Sequence, residues 1–244
     1  ALGVEFEVRG RIFVTNAQVS TERRFEVFVR DCQWLIRSRS TTGTSEVLTV
    51  GYENQGVLYK LAHKEGRKRA FGIIESNTVP TDTAGLVPIL WPFFASGCLL
   101  SGSGSGPLIP VYDGSAGVLF GKARTQYAEW TNAHAIFGPP TELIYYDADL
   151  HEKPEGRPRL PAAVFRVLRM TNLGPMTVPL QGQYFRYRKV ALDKVVVAAF
   201  GQFEVDQVQP RCTLASFQPA IPAGLSLGIQ DRRLLHTDAT NRML

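Results

Sequence analysis

The chain is poor in methionine, cysteine, tryptophan and histidine, with 3, 3, 3 and 4 in 244 residues. Three cysteines cannot form a complete disulfide set within one chain. Cys32, Cys98 and Cys212 show no CxxC pair and no Cys/His ligand spacing, which argues against a disulfide-stapled or zinc-organised fold. One disulfide remains open to them; in apolar or strand-like runs, Cys32 and Cys98 read as small buried hydrophobes. No apolar run approaches the ~18–20 residues of a membrane-crossing helix. Lysine is scarce, since 20 of the 27 basic residues are arginine, and the net charge is only +5. The densest basic cluster, Lys64-Glu65-Gly66-Arg67-Lys68-Arg69, has a glycine in its middle and reads as a solvated hairpin tip. Nucleic-acid binders gather Lys and Arg on one face, so this scatter predicts no nucleic-acid partner. Also missing are a GxSxG elbow, an HExxH pair, a Walker loop and the kinase motifs, which lowers the expectation of an enzyme.

What is present is globular: 44% apolar and 20% charged residues, outside the range of disordered, collagen-like or coiled-coil chains. The N-terminal third alternates with period two. Val4, Phe6, Val8, Ile12 and Val14 share one parity, and Glu5, Glu7, Arg9 and Arg11 the other. Successive strand side chains point to opposite faces, so this is a half-buried strand with Gly10 as a bulge or bend. Phe25, Val27 and Val29, then Cys32, Trp34 and Ile36, continue the alternation with a parity flip near Arg30-Asp31, which predicts a tight turn or a bulge there. Leu48, Val50 and Tyr52 precede Val57, Tyr59 and Leu61 across Asn54-Gln55-Gly56, a hairpin signal, and Ala70, Gly72 and Ile74 follow.

The stretch 85–100 breaks the pattern. Leu86, Ile89, Leu90, Trp91, Phe93, Phe94, Leu99 and Leu100 leave no polar side. Pro88 suits a first helical turn and Pro92 a kink, so a short bent helix is expected near 86–100, lying in the concavity of the sheet. Residues 101–107 (Ser-Gly-Ser-Gly-Ser-Gly-Pro) read as a flexible loop inside a single domain spanning 1–244; a phosphate cradle would need a strand before it and a helix after it. Further strands are expected at Thr141–Asp147, Ala163–Thr171, Gln183–Val190, Lys194–Val205 and Leu225–Ile229. The run Val195–Phe200 has no polar face and reads as central or doubly covered. Residues 116–130 are ambiguous: Leu119, Ala123, Tyr127 and Trp130 fit a helix, but Gly121 weakens it. The fold class is therefore mainly β (α+β), a strongly curved antiparallel sheet or half-barrel covered by one or two short helices.

Three groups carry possible chemistry. Asp147, Asp149 and His151 alternate and could ligate a divalent metal, although they run into loop sequence; they make a metal-dependent hydrolase the third functional expectation. A Cys98–His134 nucleophile pair lacks a local signature, and apolar neighbours raise a thiol pKa. Phe185-Arg186-Tyr187-Arg188-Lys189 interleaves aromatics with bases, but strand alternation separates the two types onto opposite faces, as expected of core aromatics under a basic outer surface.

Several segments together resemble a family. They are the Arg24–Arg37 block, Tyr52-Glu53, the Pro80 segment, Leu90-Trp91-Pro92-Phe93-Phe94-Ala95-Ser96-Gly97 and Gly228-Ile229-Gln230-Asp231-Arg232-Arg233. The layout is similar to that of a group of uncharacterised exported bacterial proteins, and its strand order resembles the periplasmic lipoprotein-carrier fold, a curved antiparallel sheet closed by helices around an apolar cavity. It departs from true carriers in its length and its Gly/Ser loop. The resemblance implies an exported protein without a cofactor that binds a lipid or lipoprotein.

The expectation that follows is a non-enzymatic exported protein of the periplasm or cell envelope, consistent with a chain that begins at Ala1. An apolar ligand would sit between curved sheet and helical plug, with Trp34, Leu86, Leu90, Trp91, Phe93 and Phe94 as candidate binding residues. The alternative is a structural or assembly protein of the envelope that self-associates through strand edges or loops.

Overall fold

The structure is a computed structural model and describes residues 5–16, 18–31, 33–42, 45–53, 57–76, 116–118, 127–131, 142–146, 160–174, 176–191 and 193–231. Strands come in the order β1 (Glu5–Asn16), β2 (Ser20–Arg30), β3 (Gln33–Ser40), β4 (Glu46–Glu53), β5 (Val57–Lys64), β6 (Arg69–Ser76), β7 (Ala116–Val118), β8 (Tyr127–Thr131), β9 (Glu142–Tyr146), β10 (Pro161–Leu173), β11 (Met176–Ala191), β12 (Lys194–Gln209) and β13 (Ser226–Asp231). All belong to one open, curved sheet ordered β13-β6-β5-β4-β3-β2-β1-β12-β11-β10-β9-β8-β7.

The hairpins form where turn chemistry allows. β2 and β3 are joined by a two-residue turn between the paired Arg30 and Gln33, with Asp31 in the left-handed region at φ 53°. An aspartate tolerates that conformation better than most residues. The register of β1 against β12 slips at Arg9/Gly10, the bulge expected at Gly10. The ring of Phe25 lies over Gly10, where a Cβ would clash with it.

One correction concerns strand direction. The sheet is mixed rather than purely antiparallel, because β13 pairs with β6 in parallel, from Ser226↔Arg69 to Asp231↔Ile74. A parallel neighbour needs a crossover instead of a hairpin. Residues 210–225 supply it, running from β12 to the β6 edge. Seven strand spacings separate β12 from β13 in the sheet order, a span of about 34 Å at ~4.8 Å each. Sixteen residues reach roughly 50 Å when extended, so the crossing is feasible without strain.

Other corrections concern local structure. The helical pattern at 116–130 gives way to β7 and β8, which pair Val118 with Tyr127. Gly121 weakens a continuous helix, and Val118, Tyr127, Trp130 and Thr131 are residues that favour strands. No helix occurs among the described residues, and the expected helix at 86–100 and the loop at 101–107 lie outside them. The run Val195–Phe200 is central only at its end: Ala199 and Phe200 pair with both β11 and β1, whereas Val195, Val196 and Val197 pair with β11 alone, and Val197 is 53% exposed. Its β-branched residues satisfy the strand preference without requiring burial.

The two faces differ sharply. The inner face carries the main core: Phe6, Val8 and Ile12 from β1, Phe25, Val27 and Val29 from β2, Trp34 and Ile36 from β3, and Val50, Tyr52 and Leu58 from β4 and β5. Phe165, Val178, Phe203 and Val205 extend it across β10 to β12. On β5 the inward residue is Leu58, opposite Tyr52, while Val57, Tyr59 and Leu61 have the other parity. That parity is also sheltered, because a second, smaller cluster lies on the outer face. There Phe28 and Leu35 are covered by Leu214, Cys212 and Phe217 of the crossing segment.

Polar contacts pin that segment. Arg30 donates to the carbonyl of Cys212 at 2.7 Å, and its guanidinium lies 5.9 Å from the centre of the Phe217 ring. The hydroxyl of Thr213 donates to the Glu7 carboxylate at 2.7 Å, and Ser226 N–H donates to the Lys68 carbonyl at 2.9 Å as β13 begins. Glu7 is buried, and Arg9 donates to its other oxygen at 2.6 Å, so the carboxylate keeps charged and polar partners in place of water.

Candidate functional site

The inner face carries the larger of the two buried apolar clusters among the described residues. Its centre is an aromatic stack: Trp34 lies parallel to Tyr52 at 5.7 Å and an interplanar angle of 8°, because their strands pair them directly across β3 and β4. Further along, Phe25 meets Phe203 edge-on at 6.2 Å and 78°, across β1 from one another. Phe165 and Tyr184 add a third pair at 4.9 Å. Such geometries contribute about 0.5–1.5 kcal/mol each beyond the area they bury.

One end of this face is polar. Arg23 is buried beside Ile12, its register partner on β1. Its Nε donates to the Ser38 hydroxyl at 2.8 Å, Nη2 donates to the carbonyls of Ser38 and Glu46, and Nη1 reaches the Glu46 carboxylate at 3.3 Å. Burial pulls the guanidinium below its ordinary pKa, and the Glu46 carboxylate opposes that shift. At the β11 side, burial raises the Tyr184 phenol, with Arg186 acting the other way. The face therefore combines a broad apolar tract with one hydrogen-bonded cation near its rim, chemistry that suits non-covalent contact with an apolar or amphipathic molecule.

Of the candidate binding residues, Trp34 is where the alternation placed it, on the inner face and 1% exposed. Leu86, Leu90, Trp91, Phe93 and Phe94 lie outside the described residues, as do Asp147, Asp149 and His151, Cys98 with His134, and Cys32. No group of three or more His, Cys, Asp or Glu side chains suited to a metal occurs among the described residues. Cys212 is a free, buried thiol. The aromatic and basic run on β11 departs in one respect from its expected arrangement. Phe185 stands opposite Val164 and packs on Phe200 at 5.1 Å, with the Arg166 guanidinium 5.5 Å from its ring centre. The register slip between Arg186 and Tyr187 leaves its extra residue, Ala198, on β12, so β11 keeps its alternation, with Phe185 and Tyr187 half-buried and Arg186 and Arg188 exposed, but Tyr184, not Phe185, is the residue that packs on the main core.

Two features escaped the sequence reading. The crossing segment 210–225 has no periodicity and only scattered apolar residues, so nothing local marked Leu214 and Phe217 as a cover. The second is a concentration of arginines on the outer face of β1 to β3. It was readable in principle, because Arg9, Arg11, Arg24, Arg37 and Arg39 all have the parity opposite to the core residues.

These observations define the class: a mainly β protein built on one open, curved, mixed sheet with an extensive apolar inner face. No family model matches the chain, and no curated protein matches it. Among solved structures it is similar to a DUF1329 family protein from Desulfovibrio piger, at 8% identity and a TM-score of 0.43, with 88% of each chain covered. It is also similar to a putative outer membrane lipoprotein-sorting protein domain from Vibrio parahaemolyticus, at 8% identity and a TM-score of 0.47, over 87% of this chain and 88% of that one. No helix among the described residues is long and apolar enough to cross a membrane.

Proposed function

We propose that the chain is a non-enzymatic binding protein of the bacterial envelope that holds a lipid, acyl chain or other apolar ligand against the inner face of its sheet. The observation that carries the reading is the continuous buried apolar tract running from Leu58 on β5 to Phe165 on β10. An open sheet with one such face must bury it against something. In this reading the apolar stretch 86–100 provides the opposing wall, with Leu86, Leu90, Trp91, Phe93 and Phe94 facing Trp34, and the whole chain forms one domain. The Arg23 cluster at the rim then receives the polar end of an amphipathic ligand.

The test is native mass spectrometry of protein purified from a bacterial host, beside a delipidated control, followed by uptake of a fluorescent fatty acid. A co-purifying lipid that the fatty acid displaces supports the reading. A protein that carries no lipid and takes up no probe overturns it.

A second reading, a self-associating structural protein, is favoured by one observation. The β13 edge presents Ile229 at 57% exposure on an edge strand, and edges of this kind pair readily with other strands. Light scattering over a concentration series separates the two readings, since a strictly monomeric protein removes the second.

A further inference from the structure

On the outer face, β1, β2 and β3 place their outward residues in two neighbouring cross-strand rows. One row is Arg9–Glu26–Arg37. Its central carboxylate serves both flanking cations, at 3.4 Å to Arg9 and 3.2 Å to Arg37. The next row, two residues back along β2, is Arg11–Arg24–Arg39, a cation between two cations. Arg11 turns toward Asp206 at 3.3 Å and Glu204 at 3.9 Å, and Arg39 pairs with Glu65 at 2.6 Å. Arg24 is exposed and has no ion pair among the described residues. Like charges directly opposite one another on adjacent strands destabilise a sheet, so this row costs the free protein something unless an anion joins it.

The five arginines line a cavity of about 720 Å³ together with Glu26 and Asp206. Two carboxylates line it with the five cations, and Glu7, Glu204 and Glu65, outside the lining, also pair with Arg9, Arg11 and Arg39, which leaves Arg24 as the arginine of the lining without an ion pair among the described residues. Each guanidinium carries five N–H donors, of which a carboxylate engages two at best, so donors remain available even on the paired arginines.

We propose that this cavity binds a phosphate group, with Arg24 as its central ligand and Arg11 and Arg39 on either side. A tetrahedral dianion has enough acceptor oxygens to bridge three guanidiniums spread over about 10 Å of sheet. A planar carboxylate satisfies one fork and leaves the other two cations facing each other. Glu26 holds Arg9 and Arg37 in place and closes one side of the site. The phosphate is either a lipid headgroup or a soluble phosphate. The site lies on the opposite face from the apolar surface and does not rest on the ligand proposed for that surface.

The experiment uses the whole chain and two probes: inorganic pyrophosphate by titration calorimetry, and co-sedimentation with phosphatidylcholine vesicles with or without phosphatidic acid. Arg24→Gln is compared with Arg188→Gln, which removes the same charge from an exposed position on β11. Wild-type protein is expected to bind pyrophosphate, with affinity reduced about tenfold in Arg24→Gln and barely changed in Arg188→Gln. Arg24→Lys, which keeps the charge but not the fork, should fall between. The thermal midpoint of unliganded Arg24→Gln should equal or exceed that of wild type, since a crowded cation is gone. Sedimentation only with phosphatidic acid vesicles, lost in Arg24→Gln, assigns the phosphate to a headgroup; pyrophosphate binding without sedimentation assigns it to a soluble ligand. A wild-type protein that binds neither probe, or Arg24→Gln and Arg188→Gln variants that weaken binding equally, overturns the site.

Discussion

The carbonyl oxygen of Phe217 occupies the space that a side chain on Gly51 would need. Gly51 stands opposite Leu35 and Tyr59 in the middle of the sheet, and the crossing segment presses its backbone onto that point. A glycine in a central strand weakens the strand, so its presence here reflects the close approach of another backbone. Gly51→Ala should therefore cost about 1–3 kcal/mol, the range for overpacking. Urea denaturation measures the loss, and proteolysis within 210–225 should accelerate as the segment lifts. A variant equal to wild type in both assays contradicts the packing of Phe217 on β4.

Trp34→Ala should be among the most damaging substitutions in the described core. The ring is 1% exposed and stacked on Tyr52. Truncating a buried aromatic of this size costs about 3–5 kcal/mol, a large share of a typical ~5–15 kcal/mol total. If a ligand shares the inner face, fatty-acid uptake should fall in the same variant measured below its denaturation midpoint. Loss of stability with uptake untouched would separate Trp34 from the binding surface and leave it a packing residue.

Much of the sheet was legible because its first half obeys one rule. Parity alone placed Phe6, Val8, Ile12, Phe25, Val27 and Trp34 on a common buried face, and the flip at Arg30-Asp31 located the first tight hairpin. The parallel pairing of β13 was not legible, since a parallel edge depends on where a long connection lands. Nor was the outer cluster: Phe28 and Leu35 sit at polar-face parity, and only the distant Leu214 and Phe217 explain their burial. For the candidate site, alternation found Trp34, but pairing it with Tyr52 required the β3–β4 register, and Arg23 shares the parity of Phe25 and Val27 without any local signal that a buried arginine would stand there.

Ser38→Ala tests that polar end. Ser38 is fully buried and accepts the Arg23 Nε–H, while the same guanidinium keeps the Glu46 carboxylate and two backbone carbonyls. Removing the hydroxyl leaves one N–H of a buried cation without its acceptor, at a cost of about 1–3 kcal/mol. Ser38→Thr, which keeps the hydroxyl, should recover part of it. Chemical denaturation of the three proteins in parallel gives the comparison, and equal midpoints would show that Arg23 draws no stability from this contact.

The last prediction concerns alkaline pH. Burial raises the Cys212 thiol above its ordinary value of 9.0; a backbone hydrogen bond from Leu214 and the Arg30 charge oppose the shift, and Glu7 and Glu5 add to it. In the unfolded chain the thiol ionises at its ordinary value, while in the folded chain it keeps its proton to higher pH. Between those two points the folded state binds more protons, so the stability contribution is full below the unfolded value and is lost as pH rises through the folded one. Tyr184 acts with the same sign, starting from its higher ordinary value of 10.0. Stability should therefore decline with pH from about 9 upwards, and Cys212→Ala should flatten the first part of that decline while leaving the later part, which belongs to Tyr184. Thermal midpoints of both proteins across this range provide the measurement. Identical slopes in the two would mean that Cys212 is as free to ionise in the folded protein as in the unfolded chain, and that Phe217 and Leu214 do not shield it. A native thiol that reacts with iodoacetamide as fast as the denatured one would lead to the same conclusion by a route independent of titration.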